Sequence, residues 1–162
     1  MPVREIVLYP DALLREKAAD ALPGTETTAA IIQDLLDTLD NHTGVGIAAP
    51  QIGESVRIIA VDATRAKRPV ANHGRLVLLN PEICASEGQT SFREGCLSIP
   101  DLVARVSRAN EISIDGTLPD GSPISFIAEG FEAVILQHEI DHLDGILFID
   151  RVYSARDIKF RS

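Results

Sequence analysis

Between residues 26 and 41, Ile31, Ile32, Leu35, Leu36 and Leu39 recur at intervals of three and four, with acidic residues between them. This spacing predicts an amphipathic helix, and Asn41 and Gly44 suit its C-terminal stop. Val56 to Asp62 (VRIIAVD) and Leu76 to Leu79 are short aliphatic and β-branched runs bounded by Gly53 and Asn80-Pro81, which predicts strands. The polar and basic residues 63–75 between them read as an exposed connection. Ile112-Ser113-Ile114 and Ile124-Ser125-Phe126 alternate on either side of Pro119-Asp120-Gly121, the pattern of a hairpin. A second helix covers about residues 130–143 and stops at Asp144-Gly145. Strands mostly precede one late helix without regular alternation, so an α+β fold is expected.

Composition narrows the picture. No repeat, low-complexity tract or Pro/Gly-rich linker divides the 162 residues, so a single domain over 1–162 is expected. Hydrophobic residues make 45 % of the chain, too many for a disordered segment. A net charge of −9 argues against coating a nucleic acid. Residues 151–162 reverse that sign locally, with Arg151, Arg156, Lys159 and Arg161 against Asp157, and read as a short, solvated basic tail. No apolar run reaches the roughly 18 residues of a membrane-spanning helix. Met1 to Glu5 does not read as a secretory signal. Cys84 and Cys96 are therefore expected as reduced thiols in the cytoplasm.

The stretch richest in chemistry is Gln137-His138-Glu139-Ile140-Asp141-His142. On a helix, His138 and His142 lie one turn apart, so both imidazoles point the same way and can share one metal ion. Phe131, Val134 and Ile135 precede them on the same stripe, which turns the histidines inward, where buried imidazoles need partners. Glu139 is rotated by about 100° from His138. It lies too far round to join the same tripod but can reach water at an open position, as a general base would. The pentapeptide H-E-x-x-H also occurs on helices whose histidines are plain core or cap residues.

A catalytic ion takes three protein ligands and leaves one position open. Cys84, Cys96, His42, His73 and the carboxylates are the candidates for the third. Cys96 follows Gly95, a residue that permits close backbone approach. Cys84, in Pro81-Glu82-Ile83-Cys84, reads as a small buried hydrophobe. Two other arrangements stay open on the residues alone: a peptidase with histidine or carboxylate as third ligand, and a closed, structural Cys₂His₂ module using both thiols. Gly44 to Gln51 (GVGIAAPQ) matches no dinucleotide or phosphate fingerprint. It reads as a passage of small residues with which an extended ligand could pair.

Together, GVGIAAPQ at 44–51, EGCLS at 94–98 and QHEIDH at 137–142 match completely, and in order, the three motifs of the peptide deformylases. The run His142 to Asp150 fits as well, so the chain resembles that family over nearly its whole length. The resemblance implies antiparallel β-sheets packed around a central metal-binding helix. It implies hydrolysis of the N-formyl group from the formyl-methionine of new polypeptides, releasing formate. Carried over residue by residue, Cys96, His138 and His142 hold one divalent ion, natively iron, with zinc, nickel or cobalt able to occupy the site. Glu139 moves the proton, while the Gln51 amide and the Leu97 backbone N–H stabilise the oxygen on which charge grows. For the methionine side chain and the following peptide, Val45, Gly46, Phe92, Gly95, Phe131, Val134 and Ile135 are the candidates. Glu94 and Arg108 are expected to pair in support of the Cys96 loop. Several family members carry an arginine shortly after the second motif; here Pro100 to Ala104 has none, and Arg105 is the nearest substitute. The implied partners are formylated nascent chains and, through the basic tail, the ribosome, with no membrane and no specific nucleic acid.

Overall fold

The computed structural model describes residues 3–161. Met1, Pro2 and Ser162, which belong to the segments read above as lacking a signal and as a basic tail, lie outside the described residues. Four layers stack in the order helix, sheet, helix, sheet.

The first helix, α1 (Glu26–Asp40), is opened by Thr25, whose hydroxyl accepts the Thr28 N–H at 3.1 Å. Its stripe of Ile31, Leu35 and Leu39 packs on Ile47, Ile58, Ala60 and Leu79 of a five-stranded sheet. The helix stops at the expected place, with Asn41 as its C-cap in a right-handed conformation. Arg65 also donates to the carbonyls of Leu39 and His42, placing a cation at the helix C-terminus. Residues 63–75 are thus partly structured: Ala63–Arg65 form a short 3₁₀ turn with Ala63 buried.

The five-stranded sheet contains β1 (Gly46–Ala48), β2 (Ile58–Asp62), β3 (Arg75–Glu87), β6 (Glu111–Thr117) and β7 (Pro123–Glu129), in the order β1-β2-β3-β6-β7 and antiparallel throughout. Strand β2 is buried along its whole length, with Ile58 and Ala60 toward α1 and Ile59 and Val61 toward the other face. Each such fully buried aliphatic side chain contributes about 1.5–3 kcal/mol. The expected hairpin is β6–β7, with Ile112 opposite Ala128 and Ile114 opposite Phe126. Strand β3 runs well past Leu79. It carries Pro81 through register shifts between Leu79 and Glu82 and between Ile83 and Ala85. From Glu82 on it is an exposed ribbon, so Cys84 is exposed. The expectation of a small buried hydrophobe there is corrected: the strand continues beyond the core that α1 and the second helix cover.

That second helix, α2 (Gly130–Leu143), is buried nearly all round. Ala133, Leu136, Ile140 and Leu143 pack against Ile59, Val61, Leu78, Ile112 and Ile114 of the large sheet. Its other face meets a three-stranded sheet formed by β4 (Thr90–Cys96), β5 (Ile99–Arg108) and β8 (Ile158–Phe160), in the order β4-β5-β8. The basic tail therefore does not fray. Ile158 to Phe160 pair with Ala104 to Leu102, while Val152 and Ile158 pack against the cluster around Val106 and Phe148. No helix among the described residues is long and apolar enough to cross a membrane.

Candidate metal centre

Cys96 ends β4, and Leu97 and Ser98 form the turn into β5, with Cys96 opposite Ile99. The helix α2 presents His138 and His142 to this turn, their rings edge to face with centroids 5.1 Å apart. Ligand atoms of Cys96, His138 and His142 all lie within 4.8 Å of one another, and all three residues are buried. Cys96 Sγ is 3.4 Å from His142 Nε2. A single ion about 2.3 Å from sulfur and about 2.0 Å from nitrogen, in a tetrahedral shell, sets a separation of about 3.5 Å. The donor set therefore fits one metal ion. Cys84 is not in the cluster, which removes the closed Cys₂His₂ arrangement. His73 is also elsewhere, bonded through its N–H (2.7 Å) and Nδ1 (2.6 Å) to the buried Glu132.

A carboxylate orients His138, whereas the buried His142 Nδ1 has no hydrogen-bond partner among the described residues. His138 Nδ1 lies 2.9 Å from Glu94 Oε1, and Arg108 grips the same carboxylate through Nε (2.6 Å) and NH2 (2.9 Å). Burial alone would raise the Glu94 carboxyl, but His138 and Arg108 outweigh it and hold it below the usual range. An ionised Glu94 accepts, so Nδ1 of His138 carries the hydrogen and Nε2 is left for a metal. Burial, then the charges of His138 and Arg108, push His142 well below its ordinary value. It stays neutral, the form that binds a metal. Arg108 also donates to Asp141 at 3.0 Å, and Arg151 donates to both oxygens of the same carboxylate. The expected Glu94–Arg108 pair is thus present and extends to Asp141, a residue of the third motif to which sequence reading gave no role.

Replacing Arg108 by alanine would leave the buried Glu94 with His138 as its one remaining partner and Asp141 with Arg151 alone. A loss of about 3–5 kcal/mol in stability is expected, read as a lower urea midpoint. Metal affinity should fall by about 10–100-fold as Glu94 stops orienting His138. Unchanged metal content after dialysis against a chelator, together with unchanged turnover, would remove Arg108 from this role.

Glu139 is 4 % exposed, and its Oε1 has no hydrogen-bond partner among the described residues. Burial pushes its carboxyl up to about 7, against the opposing pull of His138 and Arg108. A carboxylate of that proton affinity can take and return a proton near neutrality. It packs on Gly46 of β1, where an added Cβ would come within 2.8 Å of Glu139 Oε2 and 2.9 Å of Ile135 Cγ2. Only glycine allows this approach of the edge strand to the helix. Gln51, 2 % exposed, accepts the Ala48 N–H at 3.0 Å through its side-chain oxygen. Its amide nitrogen then points to Ser98 Oγ (3.1 Å) and Cys96 Sγ (3.5 Å).

Gln51, Cys96, His138 and Glu139 line a cavity of about 960 Å³ that also touches the free edge strand β1 and β4. Val45, Gly46, Gly95, Leu97, Phe131 and Val134 line it, and Ile135, Gln51 and His42 do so too. Phe92 does not line it: the ring packs on Phe131, with centroids 5.6 Å apart. Arg105 bonds to Ser91 Oγ at 3.1 Å and is not a lining residue. Arg161, from the end of the chain, lines the cavity instead, and no sequence signal pointed to it.

Comparison with known proteins agrees with this geometry. The family model described as polypeptide deformylase matches residues 3–157. A peptide deformylase of Syntrophobacter fumaroxidans is 42 % identical over 159 residues, covering 98 % of this chain and 92 % of the relative. A peptide deformylase crystal structure from Legionella pneumophila superposes with a TM-score of 0.86 at 38 % identity, covering 96 % of this chain and 88 % of that one. An actinonin-bound class I type b peptide deformylase from Acinetobacter baumannii gives a TM-score of 0.84 at 30 % identity, covering 94 % and 99 %. With the fold, the three motifs and the cluster of sulfur and two imidazoles in place, the chain belongs to the polypeptide deformylase family.

Proposed function

We propose that Cys96, His138 and His142 hold the single metal ion with which this deformylase removes the N-formyl group from formyl-methionyl polypeptides, and that Glu139 is its general base. The observation that carries the assignment is the meeting of the three donors, two of which (Cys96 and His138) line the cavity together with Glu139, a buried carboxylate whose Oε1 has no partner among the described residues. When bound, a divalent ion supplies Lewis-acid polarisation and lowers the pKa of water toward about 7. Glu139 takes the proton of the attacking water and delivers it to the departing nitrogen. The Gln51 amide and the Leu97 backbone N–H donate to the formyl oxygen as charge grows there. Phe131, Val134, Ile135 and Val45 offer apolar surface for methionine. The peptide beyond runs extended along β1, pairing with backbone near Val45 and Gly46.

The ion is iron in this reading, with zinc, nickel or cobalt able to replace it. The enzyme works in the cytoplasm on nascent chains, and the exposed Arg156 and Lys159 are the cations of the tail best placed to touch a ribosome. Anaerobic purification with metal analysis, followed by a formate-release assay, tests the reading. About one iron per chain and rapid release of formate from a formyl-methionyl peptide are expected. The acetyl counterpart should be cleaved far more slowly, because a tight pocket admits hydrogen at the carbonyl carbon and excludes methyl. Equal cleavage of the two peptides would overturn the acyl selectivity, and metal-free protein with full turnover would overturn the whole reading.

A further inference from the structure

In a chain of net charge −9, two arginines without a carboxylate partner among the described residues, Arg93 and Arg161, line this cavity. Arg4 lines it too, but its guanidinium is spent on Asp34 (2.7 Å) and Glu54 (3.0 Å); of the carboxyl groups in the same walls, Glu94 is paired with Arg108 and His138, Glu139 lies buried at the metal centre, and Glu5 is exposed. Arg161 is held in a defined place. Strand β8 pairs Phe160 with Leu102 and Lys159 with Val103, and the Arg161 N–H then donates to the Asp101 carbonyl at 2.8 Å. Its Nε donates to the Pro100 carbonyl at 2.9 Å. The terminal NH2 lies against Gly95, in the space that a side chain at that position would fill. Any residue other than glycine at 95 would push the guanidinium away.

With Nε engaged by a backbone carbonyl, the outer nitrogens of the fork remain as charged donors beside the residue that precedes Cys96. A guanidinium so placed recognises carboxylates through charge-assisted hydrogen bonds. Gly95, the neighbour of Cys96 on β4, and Arg161 line the same cavity as Cys96 and Glu139, so a peptide with its formyl end at the metal centre would share that cavity with this guanidinium. We propose that Arg161 is a specificity-determining residue: it favours substrates whose second and third residues, after formyl-methionine, carry acidic side chains. This rests on the deformylase reading and assigns a preference within it. The anchoring through β5 explains how an exposed residue can hold a fixed position at the cavity wall instead of sweeping through solvent.

The test uses the metal-loaded enzyme and three C-terminally amidated peptides, formyl-Met-Glu-Glu, formyl-Met-Gln-Gln and formyl-Met-Lys-Lys. For the wild type, kcat/KM for the Glu peptide should exceed that for the Gln peptide by about three- to fivefold, with the Lys peptide lowest. In Arg161→Gln the Glu-to-Gln ratio should fall to about one, and Arg161→Lys should retain part of the preference. Raising the salt concentration should shrink the wild-type ratio as well. A merely structural role for Arg161 would move all three peptides together and leave the ratio intact. A wild-type ratio near one, a ratio that survives Arg161→Gln, or one lost in Arg93→Gln alone would overturn the proposal while leaving deformylation standing. Failure of the wild type to release formate from any of the three would instead bring down the deformylase reading, and this proposal with it.

Discussion

Cys96→Ala should lose its metal on dialysis and release no measurable formate, whereas Cys84→Ala should keep both metal and turnover. The contrast follows from placement. Cys96 is 8 % exposed, with its sulfur 3.4 Å from His142 Nε2, while Cys84 sits on the exposed far half of β3 outside the donor cluster. Alanine at 96 leaves two imidazoles on one helix, a bidentate site without its soft ligand. The loss should exceed the roughly 10–100-fold in affinity that follows removal of an outer hydrogen-bond partner. Neither change requires the fold to fail: Cys84 is exposed, and Cys96 belongs only to the smaller cluster with Ile99, Val106 and Phe148, outside the two clusters that join α1, α2 and the large sheet. Metal analysis beside far-UV circular dichroism separates loss of the ion from loss of structure. Retained metal in Cys96→Ala would mean that another donor completes the site. Loss of metal in Cys84→Ala would mean that β3 folds differently from the structure described.

What could be read from the sequence follows the range of the forces involved. Both helices were legible because periodicity and end signals agree locally: the observed bounds, Glu26–Asp40 and Gly130–Leu143, differ little from the predicted ones. The β6–β7 hairpin was legible for the same reason, a turn flanked by alternating residues. Strands β4 and β5 gave no comparable apolar signal. Their inward positions include Glu94 and Arg108, buried polar groups that satisfy one another across the sheet and in contact with α2. The far half of β3 is strand without a core face, so hydrophobicity could not mark it, and Cys84 was misread accordingly. At the site, the histidines were legible because they share a helix face. Cys96 was one of several candidates until the motifs were taken together. Arg161 was not legible at all, since only the pairing of β8 with β5 brings the end of the chain to Gly95.

Glu139→Gln separates metal binding from proton transfer. The substitution keeps the shape of the side chain and removes its ability to accept a proton, so turnover should fall by about 10²–10⁴-fold. Metal content should be unchanged, because Glu139 is not one of the three clustered donors. Stability should hold or rise. The carboxylate is 4 % exposed, and its Oε1 has no partner among the described residues, so its charge is a cost that the neutral amide relieves. The close contact with Gly46 admits an amide of the same volume. Three measurements on one variant therefore diverge: formate release drops, metal stoichiometry stays, and the thermal midpoint stays or increases. A structural role for Glu139 predicts the opposite pairing, with stability falling and turnover falling only in proportion. Undiminished turnover would take the general base away from Glu139 and require another group in the cavity, with Glu94 excluded by its pairing to Arg108 and His138.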